Sequence, residues 1–200
     1  YAVIHETGHG LYEQGRMERD RDLPVSESLS MGIHESQSLF WERMIAQSES
    51  FCDYYLPIFK KAFQENLKDV SVRMFYEGIN LSEPSAIRVE ADEVTYPLHI
   101  ILRFEIEKGL FDGSISPVDL PGIWNDKMKT YLGIQPTTDS EGILQDIHWS
   151  MGSFGYFPSY TLGAMYACQF FNTLKKEDPG IENKIKSGKF KYIKKWLNAN

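Results

Sequence analysis

The segment His5-Glu6-Thr7-Gly8-His9 constrains the fold of this chain more than any other. On an α-helix, residues four apart differ by about 400° of rotation, so His5 and His9 project from one face. Two neutral imidazoles placed in this way can grip one metal ion. Glu6 stands about 100° further round, close enough to reach a water on that metal without having to ligate it, which is the position of a general base. The competing reading is a surface helix that happens to carry polar residues. Against it, Tyr1-Ala2-Val3-Ile4 precedes the motif and Leu11-Tyr12 follows it, and Gly8 and Gly10 interrupt the helical pattern. A glycine in a helix costs about 1 kcal/mol, so two of them imply close approach by a neighbour or a ligand. Gly15 reads as the C-cap.

A second helix is expected from Ile33 to Ser48. Its apolar residues Ile33, Phe40, Trp41, Met44 and Ile45 form one stripe, while Leu39 and Ala46 lie on the far side beside Glu35 and Glu42. A helix apolar nearly all round is a buried one. An unpartnered carboxylate there would cost several kcal/mol, so Glu35 and Glu42 must each meet a cation, a metal or hydrogen-bond donors. For Glu35 the metal is favoured over an arginine.

With 200 residues, 42% hydrophobic and 14% aromatic, the chain is long and apolar enough for one ordinary globular core. It reads as a single helical region over residues 1–200, with no repeat and no linker. The formal net charge of −7 argues against nucleic acid or an anionic membrane as partner, and the basic stretch from Lys184 to Lys195 reads as a solvated helix face. No apolar run is long enough for a transmembrane span. Cys52 and Cys168 stand outside any Cys-x-x-Cys spacing and are expected as buried thiols of a reducing compartment. The sequence lacks an initiating methionine and a capping residue before the motif, so it is expected to be a piece of a longer protein.

Further along, Tyr54 to Ile79 reads as one or two helices, and Ser85 to Glu90 alternates apolar and polar residues as a short strand would. Asp92 to Lys108 is helical and closed by Gly109, Asp119-Leu120-Pro121 opens a helix to Gly133, and Ile143 to Ser150 is expected as a short helix. Gly152 to Pro158 is a turn rich in glycine and aromatics, of the kind that lines sites. Thr161 to Glu177 and Ile181 to Trp196 are helical. The fold class expected is mainly α, with at most a short strand or small sheet near the site.

Four segments in order, His5 to His9 with its flank Leu11-Tyr12-Glu13-Gln14-Gly15, then Gly32 to Gln37, Ile87 to Asp92 and Gly142 to Trp149, resemble the successive signatures of the M32 (Taq-type) metallocarboxypeptidases. The resemblance continues through Asp119-Leu120-Pro121, Trp124-Asn125 and Tyr156 to Tyr160. Two N-terminal signatures of that family, His-Pro-Phe and Asp-x-Arg-x-Thr, do not occur here. The resemblance implies a helical zincin-like enzyme, cytoplasmic and homodimeric in its intact form, that removes C-terminal residues from peptides with broad specificity. It implies His5, His9 and Glu35 as metal ligands, in preference to His34, and Glu6 as base.

A His₂Glu set suits a catalytic Zn²⁺, and also Co²⁺ or Mn²⁺. A metal-activated water then attacks the scissile carbonyl while Glu6 takes its proton. The oxyanion needs a further donor, for which Tyr156 is preferred and Tyr160 second; Tyr160 is otherwise assigned to substrate binding. His148 is expected to donate to substrate or oxyanion. Arg88, from its motif, is expected to bind the terminal carboxylate, with an ion pair to Glu90 or Asp92 as the alternative. Asp92 and Asp146 are expected to orient ligand histidines, whereas Gln145 and His99 are left as structural. The rival readings are an aminopeptidase or endopeptidase on the same metal helix, and a non-catalytic or incomplete helical metal-binding piece.

Overall fold

The computed structural model describes residues 1–200, and every regular element in it is a helix. The chain forms two compact units. The first comprises residues 1–80 and 162–200, the second residues 81–161. No helix is long and apolar enough to cross a membrane.

In the first unit, α1 (Ala2–Gly15) packs on α2 (Met31–Leu39). Ser30 starts α2, its hydroxyl accepting from the backbone N–H of Ile33 at 3.2 Å. The helix then widens into a π-helical stretch, Phe40–Ala46, in which the N–H of Gln47 reaches back five residues to the carbonyl of Glu42 at 3.1 Å. The regular helix expected from Ile33 to Ser48 is therefore two geometries in succession. Its burial is as expected. Leu39, Phe40, Trp41 and Ile45 form a core with Ala167, Phe171 and Leu174 of α8 (Pro158–Glu177), and with residues of α9 (Ile181–Lys186) and α10 (Phe190–Leu197). Each such large side chain contributes about 1.5–3 kcal/mol relative to exposure. The unit is completed by α3 (Glu49–Ala62), α4 (Gln64–Leu67) and α5 (Val72–Ile79). Cys52, on α3, is a buried free thiol, and burial pushes its pKa up to about 11.

In the second unit, α6 (Tyr96–Asp112) and α7 (Leu120–Leu132) share a core of Leu102, Ile106, Trp124, Met128 and Leu132. α6 runs through Gly109, where a helix end was expected, because a penalty of about 1 kcal/mol is too small to stop a helix that tertiary packing supports. Two further expectations fail here. The stretch Ser85 to Glu90 is not a strand: Arg88–Glu90 is one 3₁₀ turn that sends Arg88 inward, to 5% exposure, and leaves Val89 outside at 70%. Nor is Ile143 to Ser150 a helix; it is a run of turns. The reason lies in two adjacent side chains. Gln145 and Asp146 both turn to the same pair of arginines, Arg88 and Arg103, whereas a helix would splay neighbours by about 100°.

Candidate metal centre

His5 and His9 lie one turn apart on α1, and Glu35 faces them from α2. Nε2 of His5 stands 3.8 Å from Oε1 of Glu35, and Nε2 of His9 stands 3.4 Å from Oε2. One ligand atom from each of the three lies within 4.8 Å of the others. The helices can come this close because of two glycines. A Cβ on Gly8 would sit 2.6 Å from the Cα of Ser38, and one on Gly163 of α8 would sit 2.8 Å from both Cβ and Cγ of Glu35. Gly10 has open space around it, so the close approach inferred for both motif glycines applies to Gly8 alone.

The remaining imidazole nitrogens are already engaged. Nδ1 of His5 meets Oε2 of Glu42 at 2.6 Å, which gives the second carboxylate of the buried helix the donor it required. A carboxylate only accepts, so Nδ1 carries a proton, and in the neutral ring the lone pair then lies on Nε2, the nitrogen that faces Glu35. Burial lowers the pKa of His5, but the hydrogen bond it donates to Glu42 and the charges of Glu35, Glu42 and Glu6 outweigh it and leave the value raised. Glu42 is correspondingly lowered: its burial opposes the charge, while His5 and Arg43 favour it more. Nδ1 of His9 lies 2.6 Å from Nδ1 of His34, whose Nε2 lies 2.9 Å from Oε1 of Glu13. Asp92 and Asp146 were expected in this orienting role, and they have other work. Asp92 caps a turn, accepting from Thr95, Val94, Ser82 and Glu83. Asp146 binds two arginines.

Two imidazole nitrogens and a carboxylate, with the far side of each ring anchored, fit a divalent metal that keeps further positions for water and substrate. Glu6, next to His5 on α1, is exposed to solvent.

The other candidates gather in the second unit. Nε2 of His148 lies 3.0 Å from the Tyr160 hydroxyl, and its ring centroid lies 5.4 Å from that of Tyr156. The Arg88 guanidinium stacks over Tyr160 at 4.8 Å. Arg88 does not pair with Glu90 or Asp92. Its Nε and Nη2 both donate to Oδ1 of Asp146, at 3.0 and 2.7 Å, and Nη1 donates to the Tyr96 hydroxyl at 2.6 Å. Arg103, fully buried, shares the other oxygen of Asp146 at 2.7 Å. Burial lowers Arg103 to about 10 despite that partner. Asp146 is itself held below the usual carboxylate range, since the two guanidinium groups outweigh its burial. Gln145 joins them, accepting from the Arg88 N–H and Arg103 and donating to the carbonyls of Ala86 and Glu141, a structural role as expected.

Residues that sequence reasoning left without a role are His34, Glu13 and Gly163. His34 and Glu13 lie inside the first two motifs, so their position was visible in the sequence. Gly163 carried no local signal.

Known proteins share this arrangement of elements. The chain is 50% identical over 197 residues to carboxypeptidase 1 of Bacillus subtilis, covering 98% of this chain and 39% of that protein. It is 44% identical over 199 residues to thermostable carboxypeptidase 1 of Thermus thermophilus, again covering 39% of the relative. The crystal structure of an M32 carboxypeptidase from Deinococcus radiodurans superposes with a TM-score of 0.96 at 36% identity, over 100% of this chain and 40% of that one. The chain thus spans about two fifths of the length of these relatives. Matched to its family over residues 1–200, and helical as the resemblance implied, the chain belongs to the carboxypeptidase Taq (M32) metallopeptidases.

Proposed function

We propose that the intact protein is a metal-dependent carboxypeptidase that hydrolyses the C-terminal peptide bond of peptides with broad specificity. Membership in a metallopeptidase family implies a divalent metal. The observation that carries the reading is the convergence of His5, His9 and Glu35 within 4.8 Å, with a carboxylate or a ring nitrogen engaging the far side of each imidazole.

Zinc is the metal proposed, and when bound it supplies a Lewis acid that polarises the scissile carbonyl and acidifies water. His5, His9 and Glu35 hold it. Glu6 takes a proton from the attacking water and returns it to the leaving amine, a role that its exposure and its place beside His5 allow. Glu42 keeps His5 in the tautomer that has a lone pair on Nε2. The roles assigned to Arg88, Tyr156, Tyr160 and His148, capture of the terminal carboxylate and donation to the developing oxyanion, belong to the same reading and rest on the motifs. Arg88 retains two of its five N–H groups for that purpose beyond those given to Asp146 and Tyr96.

The test incubates the zinc-loaded protein with a peptide and identifies the products by mass. Stepwise loss from the C-terminus is expected. Glu6→Gln should lower the rate by about 10²–10⁴-fold with zinc content unchanged. Release from the N-terminus, internal cleavage, or an unaltered rate in Glu6→Gln would refute the proposal.

A further inference from the structure

The two imidazoles of the metal centre are anchored differently. His5 bonds directly to a carboxylate. His9 instead faces a second imidazole, His34, and only beyond it a carboxylate, Glu13. Glu13 is engaged in turn by Arg16, whose Nη2 lies 2.5 Å from its Oε2 and whose Nη1 donates to the carbonyl of Ser26 at 2.7 Å.

This series has one consistent arrangement of protons when both rings are neutral. The Glu13 carboxylate paired with Arg16 can only accept, so Nε2 of His34 carries a hydrogen and donates it. A neutral His34 then has a bare Nδ1. At 2.6 Å from Nδ1 of His9, a bare nitrogen requires a hydrogen on the opposite one, so His9 donates from Nδ1. The lone pair of His9 is left on Nε2, the atom that faces Glu35 at 3.4 Å. The reverse order would put the His9 hydrogen on Nε2 and close that nitrogen to a metal.

We infer that Glu13 and His34 are positioning residues acting in series, and that they hold His9 in the tautomer and ring orientation able to bind the metal. The inference rests on the proposed metal role of His9 and gives His34 and Glu13 a defined task behind it. Sequence placed Glu35 above His34 as a ligand; the geometry gives both a task, one toward the metal and one behind it.

The test uses four variants and two readouts. Zinc affinity is measured by competition with a chromophoric chelator, and imidazole tautomers are read from ¹⁵N shifts of the metal-free protein. His34→Phe keeps a ring in place but offers no acceptor, and should weaken zinc binding by about 10–100-fold. His34→Gln, whose carbonyl can accept from His9, should recover most of that loss; a role in packing alone predicts the opposite order. Glu13→Ala changes a side chain that is 40% exposed, so folding is retained, and it should weaken binding by up to about tenfold. The double variant Glu13→Ala with His34→Phe should bind no more weakly than His34→Phe alone, because a series is already broken at its second member.

In the ¹⁵N spectrum, His9 should be protonated at Nδ1 and His34 at Nε2. Unchanged affinity in His34→Phe, additive losses in the double variant, or His9 protonated at Nε2 would each overturn the inference. If the protein bound no zinc at all, the metal reading would fall, and the tautomers would still decide whether the series exists.

Discussion

Gly163 lies far in sequence from the proposed metal ligands His5, His9 and Glu35, and replacing it with alanine should disturb the candidate centre more than a substitution beside His9. The added Cβ would meet Cβ and Cγ of Glu35 at 2.8 Å and its carbonyl carbon at 3.2 Å. Carbon atoms pack at about 3.5–4.0 Å, so Glu35 or α8 must yield by roughly 0.7 Å or more. Overpacking of this kind costs about 1–3 kcal/mol. Alanine is preferred to glycine inside a helix by about 1 kcal/mol, which offsets part of it, so the metal-free protein should lose about 0–2 kcal/mol. The metal responds more steeply. Its bonds tolerate about 0.2 Å, and a ligand displaced by several times that amount should weaken zinc binding by about 10–100-fold. Chelator competition gives the affinity, and urea denaturation of the metal-free protein gives the stability. Gly10→Ala is the control, because open space surrounds Gly10. It should leave zinc affinity unchanged and stabilise α1 by up to about 1 kcal/mol. If Gly163→Ala bound zinc within twofold of the parent, or if Gly10→Ala proved the more damaging, the packing argument would be refuted.

Two further outcomes concern the second unit. Asp146→Asn leaves Arg88 and Arg103 buried without their shared charge, and should destabilise the protein by about 3–5 kcal/mol in urea; a loss below about 1 kcal/mol would show that the pair is solvated. Burial and the nearby Arg103 charge depress the pKa of fully buried His99 from 6.5 to about 4. Between those values the unfolded chain takes up a proton that the folded one refuses, so stability should fall as pH drops from about 6.5 to about 4, by up to about 3 kcal/mol. Replacing His99 with leucine should flatten that slope, and an unchanged slope of the urea midpoint against pH would remove His99 as its cause.

The helical architecture was legible because its signals are local. Apolar spacing marked α2, α6 and α8, and the i, i+4 pair of histidines needed only helical rotation to share a face. The buried-charge argument also worked locally, predicting that Glu42 would find a donor without naming His5. What failed depended on partners distant in sequence. Alternation at Ser85 to Glu90 suggested a strand, but Arg88 is drawn inward by Asp146, whose own segment gives up helical structure to reach it. Likewise, no pattern near Gly163 announces Glu35. His34 and Glu13 belong to recognisable motifs, yet which nitrogen faces which is set by the packing of α1 against α2.

The first unit joins residues 1–80 to residues 162–200, and the later stretch supplies six of the ten buried residues in the core that backs α2. At synthesis rates of about 5–20 residues per second, the ribosome needs on the order of 10 s to traverse residues 81–161 after finishing residue 80. Throughout that interval Phe40, Trp41 and Ile45 lack Ala167, Phe171 and Leu174, and Glu35 lacks the cover of Gly163. His5, His9 and Glu35, all made before that interval, must therefore wait, and a nascent chain stalled in the second unit would present an apolar helix to chaperones rather than the finished candidate metal centre.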